Sequence, residues 1–376
     1  MDPTALLHRA LADFRRGAPV LVTNRARAYA AVAIAAEVMQ PDSLASLVRL
    51  AGSAPVLALT PPRARALGGS GEGLRTLSLP PGADEALVRA LADPTMAGSA
   101  LADPAATLPP GISVIRAWAD GVAGGAIGLC KRARLLPAAL LALVDLRDGP
   151  AVEGFCREHG LIAVDAAEIA GAARLAAGRL RPAASARVPL ADAADARIVA
   201  FRPPDGGVEH LAILVGQPEA EAAAGRPVLA RLHSQCFTGD LLGSLRCDCG
   251  DQLRGALKAL AAAGHGVLLY LAQEGRDIGL VNKLRAYQLQ DGGLDTIDAN
   301  LHLGFEADER DFEPAAAMLR ALGITSVRLM TNNPEKVAGL EACGIAVAER
   351  VPHAFAANPH NAAYLAAKRA RAGHLF

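Results

Sequence analysis

Residues 228–276 read VLARLHSQCFTGDLLGSLRCDCGDQLRGALKALAAAGHGVLLYLAQEGR. Val228 to His233 is a short apolar run of strand length, Asp251 to Ala263 repeats its apolar residues at helical spacing, and Gly266 to Ala272 is a second strand-like run. The stretch is therefore strand, polar loop, helix, strand, with polar residues gathered at the strand ends, where α/β folds keep their sites. Outward from it the pattern continues. Strands are expected at Arg197 to Phe201, His210 to Val215 and Ser326 to Met330, and helices at Leu280 to Gln290, Phe312 to Leu322 and Pro334 to Ala342.

The half before it alternates in the same way. Helices are expected at Thr4 to Arg16, Ser43 to Leu50 behind an Asp42 N-cap, Asp84 to Leu91, Ala151 to His159 and Ala166 to Ala177; strands at Pro19 to Thr23, Val56 to Leu59, Ala138 to Asp145 and Leu161 to Val164. Gly68 to Pro110 reads as long loops around one helix. The class is α/β (α+β) without repeats. Gly178 to Val188 is charged and Ala/Pro-rich without apolar periodicity, so the domain boundary is placed within it, near residue 185, dividing the 376 residues into domains 1–184 and 185–376.

Lys plus Arg (38) balance Asp plus Glu (38), which argues against a basic nucleic-acid coat. The most apolar stretch, Gly121 to Val144, is interrupted by Lys131, Arg132 and Arg134, so no spanning helix and no membrane partner are expected. The first 16 residues carry charges and no unbroken apolar core, so they do not read as a secretory signal. A cytoplasmic location follows, and thiols stay reduced there.

Of six cysteines, Cys130, Cys156 and Cys343 are scattered, as buried thiols would be, whereas Cys236, Cys247 and Cys249 follow a C-x10-C-x-C spacing among Gly239, Gly243 and Gly250. Three thiolates on a loop that can fold back suit one zinc ion per chain. Three protein ligands with an open position mark a catalytic zinc rather than a structural one. Such a site activates water for attack on an electron-poor carbon, as in nucleobase deaminases, so an amidine-like carbon of a heterocycle is a reasonable target.

The remaining motifs are individually weaker. Gln273-Glu274-Gly275-Arg276 ends a strand and leads into a helix; a Glu there can accept from a base edge and the Arg can meet phosphate. Lys283, Arg285 and Tyr287 share one helix, read by default as a solvated basic face, and Asp308-Glu309-Arg310-Asp311 reads as a surface helix start. Thr331-Asn332-Asn333-Pro334 opens a helix with Lys336, either an anion site or an ordinary Asn-Pro turn. Together Arg246, Arg276, Lys283, Arg285, Arg310 and Lys336 would suit a polyphosphate.

Arg231 to Leu253, Leu271 to Asn300, Leu303 to Phe312 and Thr331 to Leu340 closely resemble GTP cyclohydrolase II, the zinc enzyme that begins riboflavin synthesis. The resemblance runs through 187–376. It implies Cys236, Cys247 and Cys249 as zinc ligands, Asp308 as proton acceptor, Arg310 as nucleophile in the phosphoryl step and Tyr287 as a catalytic tyrosine. Contacts to GTP are implied for Arg231, Leu232, His233, Ser234, Gln235, Gln252, Glu274, Gly275, Arg276, Thr296, Thr331 and Lys336. Gln235 stands where the family usually has Glu. The implied reaction opens the guanine imidazole ring with loss of formate and pyrophosphate, in a homodimer that uses Mg2+ with the triphosphate.

Gly17 to Gly68 and Gly121 to Glu168 resemble 3,4-dihydroxy-2-butanone-4-phosphate synthase, the domain often fused ahead of this cyclohydrolase. The family's acidic loop is replaced by Thr23-Asn24-Arg25-Ala26-Arg27-Ala28, and its Arg-Pro-Gly-His and His-Thr-Glu segments have no counterpart, so a degenerate, non-catalytic domain is expected. The same residues leave two other readings open. One is a divergent paralogue acting on another nucleotide; the other is a nucleotide-binding regulator without turnover.

Overall fold

Tyr29 to Ala35 (YAAVAIA) carries no polar residue after its first, and its side chains alternate between two different cores. The computed structural model describes residues 3–96, 108–203, 207–356, 358–361 and 371. It divides into two compact units, Met1–Ala173 with Val281–Asp308, and Arg174–Leu280 with Glu309–Phe376.

The first unit is built on a seven-stranded sheet in the order β5-β4-β3-β6-β2-β1-β7. The strands are β1 Val20–Asn24, β2 Tyr29–Ala35, β3 Val56–Leu59, β4 Arg75–Ser78, β5 Val114–Arg116, β6 Ala138–Val144 and β7 Ala163–Asp165. Val22, Ala31, Ala33 and Leu141 pack one face with residues of helices Pro3–Arg15 and Val122–Ala133. Leu21, Val32, Ile34 and Leu140 pack the other with residues of Ser43–Ala51 and Glu85–Ala92. Burial on both faces removes the polar alternation by which a strand is usually read, which is why β2 escapes sequence inspection.

The segment Val281–Asp308 belongs to this unit through buried contacts. Arg285 pairs with Glu37 at 2.8 Å and Asp93 at 3.1 Å, and Asn282 Nδ2 donates to the Arg134 carbonyl. Thr60 Oγ1 donates to the Gly304 carbonyl, and Arg63 Nη1 to that of His302. The expected solvated basic face is thus corrected: Lys283 is buried and Arg285 is an ion-pair hub, because its acidic partners lie far away in sequence.

The second unit holds another seven-stranded sheet, β14-β13-β11-β12-β10-β9-β8. Its strands are β8 Arg181–Arg187, β9 Ala196–Arg202, β10 His210–Val215, β11 Val228–Ser234, β12 Gly266–Leu271, β13 Ser326–Met330 and β14 Ala346–Val351. β14, β13, β11 and β12 run parallel, and β10, β9 and β8 continue antiparallel. Leu232, Leu269, Leu271 and Leu214 face residues of helix Glu313–Ala321, while Leu229, Leu268 and Met330 face those of helix Cys249–Ala263.

Two local expectations are corrected. Gly178 to Val188, where no regular element is expected, holds a strand: Arg181–Arg187 pairs with β9 as an exposed edge strand, and exposure on both faces leaves no periodicity to detect. Asp42 does precede helix Ser43–Ala51, but at φ 69° its side chain makes no capping bond. The helices Pro61–Ala66, Val122–Ala133, Pro218–Ala223 and Thr296–His302, and strands β2, β4, β5, β8 and β14, are additions to the sequence reading. Among the described residues no helix is long and apolar enough to cross a membrane.

Candidate functional site

Parallel strands β11, β12 and β13 lie side by side, so the residues leaving their carboxyl ends converge on one edge, the usual crevice of such sheets. β11 carries Arg231, Leu232, His233 and Ser234, and Gln235 extends it by donating its amide to the Leu271 carbonyl. Cys236 then opens a tight turn, Phe237–Leu241. Cys249 begins helix Cys249–Ala263, which also carries Gln252.

The three sulfurs of Cys236, Cys247 and Cys249 lie within 4.8 Å of one another. Cys236 Sγ and Cys247 Sγ are 3.8 Å apart. A tetrahedral ion with bonds of about 2.3 Å has ligand edges of about 3.8 Å, so the donor set fits zinc. Gly239 keeps the centre open, since a Cβ there would stand 2.7 Å from Cys247 Sγ and 3.1 Å from Cys236 Sγ. Hydrogen bonding with Cys236 pushes the Cys247 thiol up to about 11, and bonds to both neighbours hold Cys249 well above the ordinary thiol range. Three thiolates share this space only around a cation. Gly239→Ala should therefore lower bound metal at least about tenfold, read as metal per chain after dialysis; full metal content in that variant would show the open centre to be incidental.

Two polar networks brace the triad. Asp240 accepts from the Cys236 amide at 2.9 Å, from Tyr270 OH at 2.9 Å and from His233 Nε2 at 3.0 Å. On the other side Arg231 donates to Gln252, whose amide donates to Asp248, between two of the cysteines. Burial lowers Arg231 to about 10 and draws His233 below its usual range, so that imidazole is neutral at pH 7. His353 supports the arrangement from behind: its Nε2 donates to the Gln252 carbonyl at 2.9 Å, Asn332 bonds its amide and carbonyl, and burial lowers it to about 4.

The turn after β12 places Glu274, buried, beside the loop: its Oε2 accepts from the Phe237 amide at 2.7 Å. Gly275, Arg276 and Asp277 all have positive φ, and the last two are non-glycine residues held in that strained region. The Arg276 carbonyl accepts from the Glu309 amide, and Gln273 donates to the Asp311 carbonyl, which draws the segment containing Arg310 to this turn. Thr331 forms an ST turn with Asn333, and Lys336 donates to the Leu232 carbonyl at 2.8 Å. The expected residues Arg231, Leu232, His233, Ser234, Gln235, Gln252, Glu274, Gly275, Arg276, Arg310, Thr331 and Lys336 thus all belong to the second unit.

Tyr287, Thr296 and Asp308 belong to the first. Tyr287 lies 5.8 Å from the Lys283 ammonium, Thr296 opens helix Thr296–His302, and Asp308 follows that helix in an irregular segment. Asp308 to Asp311 is no helix start: Asp311 instead accepts from the Glu313 amide ahead of helix Glu313–Ala321. Asp240, Asp248, Tyr270 and His353 are additions to the expected site residues, and Asn332 belongs to the expected Thr331 to Pro334 turn. Asp240 and Asp248 had one visible signal, their place inside the cysteine loop; Tyr270 and His353 had none beyond being polar in apolar surroundings.

The first unit's arginine loop is engaged with acids. Thr23 Oγ1 and the Arg25 amide both donate to Asp165 Oδ2, Arg25 pairs with Glu168 at 2.8 Å, and Arg27 with Asp120 at 3.0 Å under the Trp118 ring.

A sequence model of the GTP cyclohydrolase II family matches residues 181–352. The GTP cyclohydrolase-2 of Azospirillum brasilense is 52% identical over 382 residues, covering 100% of this chain and 96% of that one. The chain belongs to the GTP cyclohydrolase II family. It is an enzyme of riboflavin biosynthesis, and the likeness extends to the Riboflavin biosynthesis protein RibBA of Salinispora arenicola, 43% identical over 300 residues, 77% of this chain and 69% of that one. Among solved structures, RibBX, a two domain 3,4-dihydroxy-2-butanone 4-phosphate synthase from A. baumannii, is 16% identical with a TM-score of 0.39, covering 93% of this chain and 99% of that one.

Proposed function

We propose that this cyclohydrolase opens the imidazole ring of GTP in a zinc-dependent hydrolysis. It releases formate and pyrophosphate and leaves 2,5-diamino-6-ribosylamino-4(3H)-pyrimidinone 5′-phosphate. The observation that carries this reading is the convergence of three thiols around the space kept by Gly239, at the strand edge that also presents Glu274, Arg276 and Lys336. Cys236, Cys247 and Cys249 hold one zinc per chain, which when bound supplies Lewis acidity and an activated water for attack on the imidazole carbon.

The chain's own groups do the rest. Glu274 recognises the amide and amine edge of guanine, Arg276 and Lys336 meet phosphate oxygens, and Gln252, Gly275, Thr296, Thr331 and the strand end Arg231 to Gln235 complete the contacts to GTP. Asp308 accepts the proton, Arg310 serves as nucleophile in the phosphoryl step, and Tyr287 assists catalysis. Magnesium accompanies the triphosphate. The enzyme works as a homodimer in the cytoplasm, with neither nucleic acid nor a membrane as partner. Formate and pyrophosphate should appear with GTP, and ATP should be turned over at least about 10³-fold less efficiently, because a mismatched base edge leaves buried polar groups unpaired. Absence of formate, or comparable turnover of ATP, would overturn the assignment.

Residues 1–184 form the synthase-like domain and 185–376 the cyclohydrolase domain in this reading. Synthase chemistry needs hard oxygen ligands for a divalent metal, whereas Arg25 and Arg27 here engage the nearby acids. Full-length protein with ribulose 5-phosphate and magnesium should therefore give no formate when GTP is omitted; formate above a no-enzyme control would refute the loss of that activity.

A further inference from the structure

Asp240 is almost fully buried, with a side chain 6% exposed, and presents both carboxylate oxygens to donors. Oδ2 receives the Cys236 N–H and the Tyr270 O–H; Oδ1 faces His233 Nε2. Its own amide donates to the Cys236 carbonyl at 2.7 Å, so residues 236 and 240 are tied together twice. A carboxylate only accepts, which requires His233 Nε2 to carry the proton of a neutral imidazole. His233 Nδ1 is then a lone-pair nitrogen, and it is buried without a hydrogen-bond partner among the described residues. The ring is held in place by stacking on Tyr270, with centroids 5.6 Å apart.

We propose that Asp240 is the positioning residue of the metal loop: it pins the Cys236 amide and fixes His233 in the Nε2–H tautomer, so that the buried Nδ1 is a hydrogen-bond acceptor. The substitution Asp240→Asn exposes the logic. An amide has one acceptor oxygen. If that oxygen stays with Cys236 and Tyr270, the NH2 faces His233 Nε2 and forces the ring to the Nδ1–H form; if it turns to His233, the NH2 points at the Cys236 N–H and the ligand loop loses its anchor. The first outcome buries a His233 Nδ1–H with no acceptor among the described residues and the second takes the acceptor from the Cys236 N–H, and groups that orient metal ligands in this manner change metal affinity by about 10–100-fold when altered.

The test is a long-range 1H–15N correlation spectrum of the uniformly 15N-labelled, zinc-loaded protein, with His233 assigned from its absence in His233→Gln. Wild type should show a pyrrole-type Nε2 and a pyridine-type Nδ1. Asp240→Asn should reverse or mix the two, and should weaken zinc about 10–100-fold in competition with a chromophoric chelator. A wild-type His233 that is Nδ1–H or doubly protonated would overturn the proposal, as would an Asp240→Asn protein with unaltered tautomer and affinity. Should Asp240→Asn fail to fold, Tyr270→Phe, which leaves both other donors on Asp240, must keep the wild-type tautomer; reversal there would assign the role to Tyr270 instead. The affinity arm rests on the zinc reading above, whereas the wild-type tautomer, recorded also without added zinc or nucleotide, does not, so failure of one is told apart from failure of the other.

Discussion

Cys247→Ser should strip the protein of zinc and lower formate release from GTP by on the order of 10³-fold or more. The metal is credited with several kcal/mol of transition-state stabilisation, and each 1.36 kcal/mol is a factor of ten. Serine keeps the volume but offers a hard, protonated oxygen in place of a thiolate. The half-exposed Cys156 and Cys343 and the fully buried Cys130 lie outside the triad, so Ser at 156 or 343 should leave metal content unchanged. Elemental analysis beside the formate assay decides the matter: a Cys247→Ser protein with undiminished zinc and turnover would remove the triad from the chemistry.

Arg285→Ala should destabilise the first unit by about 3 kcal/mol, in the lower part of the range for breaking a buried ion pair from one side. Its side chain is 18% exposed between Glu37 at 12% and Asp93 at 15%, so the substitution leaves two carboxylates with no cation between them. Glu37 also accepts from the Leu136 amide, which keeps it from turning outward. At roughly 2–4 °C per kcal/mol for a unit of this size, the melting temperature should fall by roughly 6–12 °C. Arg147→Ala is the contrast, because its pair with Asp145 is 77% exposed on both sides and solvent screens such pairs almost completely. Equal effects of the two substitutions in a thermal melt would contradict the hub role of Arg285.

Arg285 also shows where sequence reading stops. Helix Leu280–Asp291 was legible from its spacing, but the fate of its cations was not, because Glu37 and Asp93 stand some 190 to 250 residues away in the chain. The strand, loop, helix and strand around the cysteines were legible because periodicity changes sharply there and three thiols in a polar loop are unlike core residues. β2 and β8 failed for opposite reasons: one is buried on both faces and the other exposed on both, and alternation needs one of each. Asp240 and Tyr270 were hidden differently. Each is ordinary in its own segment, and only the register that sets His233 beside Tyr270 on neighbouring parallel strands brings them to one carboxylate.

GTP labelled with 13C at carbon 8 tests the central claim most directly, because the fate of that single atom distinguishes ring opening from every other hydrolysis of the nucleotide. Followed by 13C NMR with zinc-loaded protein and magnesium, the label should leave the heterocycle and accumulate as formate, in step with pyrophosphate. Label retained in an intact guanine ring while phosphate is released would contradict the account.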